Sequence, residues 1–176
     1  MIEPSKVAAR ARRLEQQNFE FRTFMKIHAD YNELDSQFSK LHKELFANYD
    51  CSKCTNCCRT YDVMLDKDEV KKVAEFLKKT KDEFSTKYLL LADTGSEKQY
   101  VFKHKPCSFL DDDGKCQIQD CKPNACKDYP FTDKPDRLFS MYSVIDHASV
   151  CPVVFEILER LKMIYGFQIN VSNKNL

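Results

Sequence analysis

Four thiols fall within eight residues at Cys51-Ser-Lys-Cys54-Thr-Asn-Cys57-Cys58, and Cys107, Cys116, Cys121, Cys126 and Cys151 follow. Thiols this dense either pair as disulfides or bind metal. The count of nine is odd, and a chain of 176 residues buries a core without covalent staples. Residues 1–13 carry Arg10, Arg12 and Arg13 but lack the apolar run of a secretory signal. The expectation is a reduced, cytoplasmic protein whose thiolates chelate metal.

Charge excludes little else. Lys plus Arg (28) nearly balance Asp plus Glu (27), so the whole chain offers no field for nucleic acid or an anionic membrane. No apolar run approaches the ~20 residues of a membrane span; the densest, residues 152–158, is broken by Glu156. Asn170-Val-Ser172 matches a glycosylation sequon, which without an export signal is an accident of composition. The three glycines form no nucleotide-binding loop. Asp111, Asp112 and Asp113 lack the spaced ligands of a calcium loop and read as a solvated turn. No residue pattern marks the chain as an enzyme.

From Ser5 to Asn48 there is neither Gly nor Pro, and Phe24, Ile27, Tyr31, Leu34, Phe38, Leu41 and Leu45 recur at helical steps. This spacing predicts one long helix with a narrow apolar seam. The seam either covers the domain's own core or binds a protein partner or a second copy. His28 and His42 lie beside it as ordinary helix-face residues. After the cysteines, Tyr61–Leu65 reads as a short extended piece, and Asp66-Lys-Asp-Glu69 has the form of a capping box. A second cap at Thr80 or Asp82 opens a helix expected to run to Leu91, with Gly95 ending the run. Gln99–Lys105 reads as a strand, and Asp113-Gly114 as the turn of a hairpin that brings Cys107 and Cys116 together. Residues 120–130 are too proline-interrupted for a long helix. Leu138–Ile145 alternates like a strand. Pro152 suits the first position of a final helix, with Val154, Ile157, Leu158, Leu161 and Ile164 buried and Gly166 as its stop.

The expected fold is therefore α+β, mostly helical with a small irregular β-hairpin, its cysteine-rich loops stabilised by metal and packed on helices. Its expected divisions are an N-terminal amphipathic helical region (1–49), a cysteine-cluster metal-binding domain (50–168) and a polar tail (169–176).

Cys-x2-Cys is the spacing at which a tight turn aims two sulfurs at one ion. Successive side chains diverge in extended backbone, so the adjacent Cys57 and Cys58 point to two centres, or to one centre with an outlying thiol. The four upstream cysteines with Cys107, Cys116, Cys126 and Cys151 suffice for two tetrathiolate zinc sites, leaving Cys121 as an extra thiol. Equally, Cys51, Cys54 and Cys57 with Cys151-Pro152 match the ferredoxin spacing of an iron–sulfur cluster. Thiolates suit both, so zinc, iron and an iron–sulfur cluster all stay open. His104 and His147 stand close enough to Cys107 and Cys151 to join as ligands or to support them, and are more simply surface or core residues.

The combination Cys-x2-Cys-x2-Cys-Cys, Cys107-Ser-Phe-Leu, Gly114-Lys-Cys116-Gln-Ile118, Lys122-Pro-Asn-Ala-Cys126-Lys-Asp-Tyr-Pro-Phe131 and Cys151-Pro152 resembles the YkgJ-type cysteine-cluster family. The resemblance implies a zinc- or iron-chelating domain with Cys51, Cys54, Cys57, Cys58, Cys107, Cys116, Cys126 and Cys151 as ligand candidates. A related cluster in flagellin lysine methylases makes redox or methyl-transfer chemistry the alternative to a mainly structural metal, with metal handling through a partner-binding helix as a third reading. Where the family has an aromatic residue, an Arg-Pro and a further Arg, this chain has Gln119, Lys122-Pro123 and Lys127. Lysine lacks arginine's planar fork, which weakens any bidentate anion contact there.

Overall fold

The computed structural model describes residues 1–93 and 98–168. Gly95, the sequon and the expected polar tail at 169–176 lie outside them. The fold is α+β and mostly helical, with ten α-helices and one small antiparallel sheet among the described residues. No helix there is long and apolar enough to cross a membrane. The described chain divides into two compact units: Asp50–Tyr129, and Met1–Tyr49 together with residues 130–168. The helices after Pro130 pack with the N-terminal helices.

The predicted long helix is three helices, α1 (Pro4–Arg13), α2 (Glu15–His28) and α3 (Tyr31–Phe46). Ala29 is extended, and the Asp30 carboxylate caps α3 by accepting the Glu33 amide at 3.0 Å. The signal is Asp30-x-x-Glu33, a helix-start pattern inside the run that lacks Gly and Pro. The break cuts the seam. Leu34, Phe38, Leu41 and Leu45 are buried, whereas Ile27 is 73% and Tyr31 53% exposed.

The cysteine unit opens with two short helices, α4 (Cys51–Cys54) and α5 (Asn56–Thr60). Strand β1 (Met64–Leu65) follows, then α6 (Lys67–Phe76) and α7 (Lys81–Tyr88), each started by a complete capping box, at Asp66/Glu69 and Thr80/Glu83. Helix α7 stops at Tyr88 rather than Leu91. Residues 89–93 form β2 (Leu89–Asp93) and pair with β3 (Lys98–Phe102), giving the antiparallel order β1-β3-β2. A leucine run has no period of its own, and the ladder from Leu89↔Phe102 to Asp93↔Lys98 decides it. A 3-10 turn (Gln119–Cys121) and the short α8 (Asn124–Asp128) close the unit. Its core gathers Val63, Leu65, Val70, Val73, Phe84, Phe102, Phe109 and Ile118.

Beyond Pro130, the expected strand at Leu138–Ile145 is instead a turn at 138–140 that leads into α9 (Met141–Ala148). Met141, Val144, Ile145 and Ala148 are buried at i, i+3, i+4 and i+7, a helical period that the apparent alternation concealed. The preceding loop is fixed from within the helical unit. Asp35 of α3 accepts the Asp136 and Arg137 amides at 2.8 Å each, and the buried Arg137 guanidinium donates to the Phe131 and Pro135 carbonyls. Helix α10 (Pro152–Ile164) starts at Pro152 as expected and buries Val154, Ile157, Leu158 and Leu161, though Ile164 is half exposed. It packs with α1, α3 and α9.

These burials place Leu34, Phe38, Leu41 and Leu45 in a core and leave Ile27 and Tyr31 outside it. Phe38→Ala should cost about 3–5 kcal/mol, the usual loss for a buried phenylalanine, whereas Ile27→Ala should stay within about 0.5 kcal/mol; urea titration of both variants measures the contrast.

Candidate metal centre

The first thiols are placed by local backbone chemistry. The Asp50 carboxylate caps α4, accepting the Ser52 amide at 3.0 Å and the Ser52 hydroxyl at 2.6 Å. Thr55, buried and left-handed at φ 54°, ends α4 and turns the chain into α5, and its amide donates to the Cys51 carbonyl. Cys57 and Cys58 are thus in helical, not extended, backbone, and the expected divergence of their sulfurs does not occur. Both line the same pocket, and Cys57 hydrogen-bonds the Cys58 sulfur.

The second group arrives on the loop after β3. The Cys107 amide donates to the Cys58 carbonyl at 2.8 Å, which ties this loop to α5. The Cys107 sulfur accepts the Phe109 and Leu110 amides, and the Cys116 sulfur accepts the Ile118 amide. Amides aimed at sulfur are the usual support of thiolates that hold metal. The expected Asp113-Gly114 turn is present, though its ladder shrinks to the single bridge Leu110↔Cys116. Gly114, at φ 78°, lies so close to α4 that an added Cβ would meet the Ser52 carbonyl oxygen at 2.0 Å. That contact seats the turn on the helix of Cys51 and Cys54.

Cys126 comes from α8. Glu69 positions it by double use of one carboxylate: one oxygen accepts the Asp66 amide within the capping box, and the other accepts the Asn124 amide at the start of α8 at 2.7 Å. Sequence reading found the box but not this second use, because nothing local to Glu69 announces a partner fifty-five residues away.

Cys58, Cys107, Cys116 and Cys126 all face one another: the Cys126 sulfur is in electrostatic contact with the other three, Cys107 with Cys58 and Cys116, and Cys116 with Cys58. Burial raises the thiol pKa at Cys107 and Cys116 and pushes Cys126 up to about 12, against the pull of the Lys122 ammonium at Cys116 and Cys126. Cys58 moves the other way, to about 6, first through its hydrogen bond from Cys57, with Lys122 and Arg59 adding to it against burial. One thiolate among three thiols is the charge state that crowding and burial favour.

The remaining wall is apolar and aromatic, with Val63, Phe102, Phe109 and Ile118, and with the Tyr61 and Tyr129 rings 4.6 Å apart. His104, Lys105 and Lys122 also line it. Sequence reading did not single out Tyr61, Lys105 or Tyr129. The cavity is about 50 Å³, room for a few waters or an ion rather than an organic substrate. Among the described residues no three Cys, His, Asp or Glu side chains already converge at ligand spacing. The donors nonetheless fit a soft ion in kind, number and support: five cysteines line one small cavity, four of them face one another, and three backbone amides stand behind two of these.

Other candidates stand elsewhere. Cys51, exposed, and Cys54, half-buried, do not line the pocket, although Cys51 faces Cys54, Cys58 and Lys122. Cys121 is in the core of the cysteine unit, its thiol pKa raised by burial. Cys151 belongs to the helical unit, where it precedes α10 and its amide donates to the His147 carbonyl. In that unit the His147 ring meets the Pro130 carbonyl and the His42 ring the Thr132 hydroxyl. All nine cysteines are described, and none forms a disulfide.

Residues 50–152 match the profile of a family, CxxCxxCC, described as a putative zinc- or iron-chelating domain. No curated protein and no solved structure gives a match to the chain.

The Gly114 contact generates a matched pair of substitutions. Gly166 is also left-handed, at φ 62°, but an added Cβ there meets nothing within 4 Å. Gly166→Ala should therefore cost only the strain of about 1–2 kcal/mol, and Gly114→Ala distinctly more, as read from denaturant unfolding of the two variants.

Proposed function

The chain belongs to the CxxCxxCC family, and from that premise we propose that Cys58, Cys107, Cys116 and Cys126 together hold one zinc or iron ion whose main role is structural. The observation that carries this reading is the mutual approach of these four sulfurs across one small cavity. Four thiolates are a complete tetrahedral set for a soft ion and leave no position open for substrate. A cavity of about 50 Å³ favours a single ion over a multinuclear iron–sulfur cluster. Bound there, the ion supplies a cross-link and charge neutralisation.

The protein's own residues do the rest. Cys58 fixes α5, Cys107 and Cys116 fix the two arms of the turn, and Cys126 fixes α8. These pieces have little regular structure to hold them, since α4, α5 and α8 span only four or five residues each and the turn contributes one bridge. Helices that short do not persist alone in water. Thiolate–metal binding of ~10 to 16 kcal/mol in small modules is ample to order them. The Phe109, Leu110 and Ile118 amides stabilise the thiolates, and Lys122 offsets the excess negative charge of a tetrathiolate.

Anaerobic purification followed by elemental analysis and an optical spectrum tests the reading. The expected result is about one zinc or iron per chain, a melting temperature that falls on chelation, Cys116→Ser that loses most of the metal, and Cys121→Ala that keeps it. Metal-free protein with a melt indifferent to chelator would end the proposal.

A further inference from the structure

The cysteines of the first cluster occupy two different environments. Cys57 and Cys58 look into the pocket, whereas Cys51 and Cys54 stand outside its wall on α4. Three residues apart on one helical turn, Cys51 and Cys54 share a face. The Asp50 cap holds that turn, and Gly114 packed against the Ser52 carbonyl holds its position. The pair borders the inner set at one corner, because the Cys51 sulfur faces both its neighbour Cys54 and the inner thiol Cys58. Lys122 faces Cys51 as well as Cys58, Cys116 and Cys126, so one cation lies beside both groups.

We propose that Cys51 and Cys54 are a loading pair, which captures a soft divalent cation from a donor complex at the surface and hands it through Cys58 to the inner thiols. This rests on the inner four-sulfur reading and adds a route to it. A two-thiol position with Cys51 exposed and Cys54 half-buried has coordination sites left over, so a donor ligand and Cys51 or Cys54 can share the ion during exchange. A closed four-thiolate position has none. Each transfer is a ligand substitution without change of oxidation state. Cys58 forms its sulfur–metal bond as Cys51 or Cys54 gives one up; the departing thiolate takes a proton from solvent, and each inner thiol that then joins the ion releases one to it. Thr55, the left-handed residue between α4 and α5, is where the two groups of thiols join in the chain.

The consequence is kinetic. Reduced full-length protein is mixed in a stopped-flow instrument with Zn²⁺ held by a chromogenic pyridylazo chelator, and loss of the chelate colour is followed. The double variant Cys51→Ser/Cys54→Ser should take up zinc roughly tenfold more slowly or worse, since a captured ion next to its destination acts at high effective concentration. Its final zinc content and the melting temperature of its loaded form should equal those of the parent. The single variant Cys51→Ser should also load slowly, and far-ultraviolet circular dichroism checks that both variants fold. Parental uptake rates in the variants, or a double variant that no longer retains its zinc, would overturn the loading role, the latter by making the pair resident ligands. If the parent protein takes no zinc from the chelator, the inner-site reading fails with it, so the two failures are distinguishable.

Discussion

Mutual repulsion among half-buried sulfurs, once ionised, is the constraint on which the cysteine unit depends. Cys58, Cys107, Cys116 and Cys126 approach from three separate stretches of chain, and burial, with the three neighbouring sulfurs adding to it against Lys122, pushes Cys126 up to about 12. Four thiolates in that space without a cation would repel one another in a medium that screens poorly. Lys122 faces three of them but carries a single charge. A divalent ion reverses the sign of the problem, because each sulfur that loses its proton then adds attraction instead of repulsion. The fold around the cavity is consistent with such a centre: short helices, one bridge in place of a hairpin ladder, and amides turned toward sulfur.

The supporting contacts are economical. Asp50, Thr55 and Gly114 set the position of α4, the Cys107 amide joins the turn to α5, and Glu69 binds the start of α8 while completing the capping box of α6. All of these act on the backbone. Sulfur positions therefore follow from where the main chain is pinned, together with the packing of Cys107, Cys116 and Cys126 on the core of the unit, and the glycine at 114 is required by a close approach as much as by its φ angle.

Local chemistry explains what the sequence made legible. Both capping boxes, Pro152 at a helix start and the turn at Asp113-Gly114 are each dictated by a few adjacent residues, and each is found where the pattern puts it. Expectation and fold part where a local pattern is ambiguous or the deciding partner is remote. Asp30 caps a new helix inside a run without Gly or Pro, residues 89–91 are a strand because β3 pairs with them, and the alternation at 138–145 overlies a helical period that begins at Met141. For the centre, Cys58, Cys107, Cys116 and Cys126 were named from spacing and resemblance. Their convergence into one group, apart from Cys51 and Cys54, depends on tertiary ties such as Glu69 to Asn124 that no spacing encodes. The premise that adjacent cysteines must diverge failed because residues 56–60 are helical.

X-ray absorption at the metal edge of the loaded protein tests the four-sulfur centre most directly. Sulfur scatterers alone, four of them, are expected at about 2.3 Å for zinc, with no second metal nearby. A first shell containing nitrogen or oxygen, or a metal–metal scattering path, would contradict the four-sulfur centre.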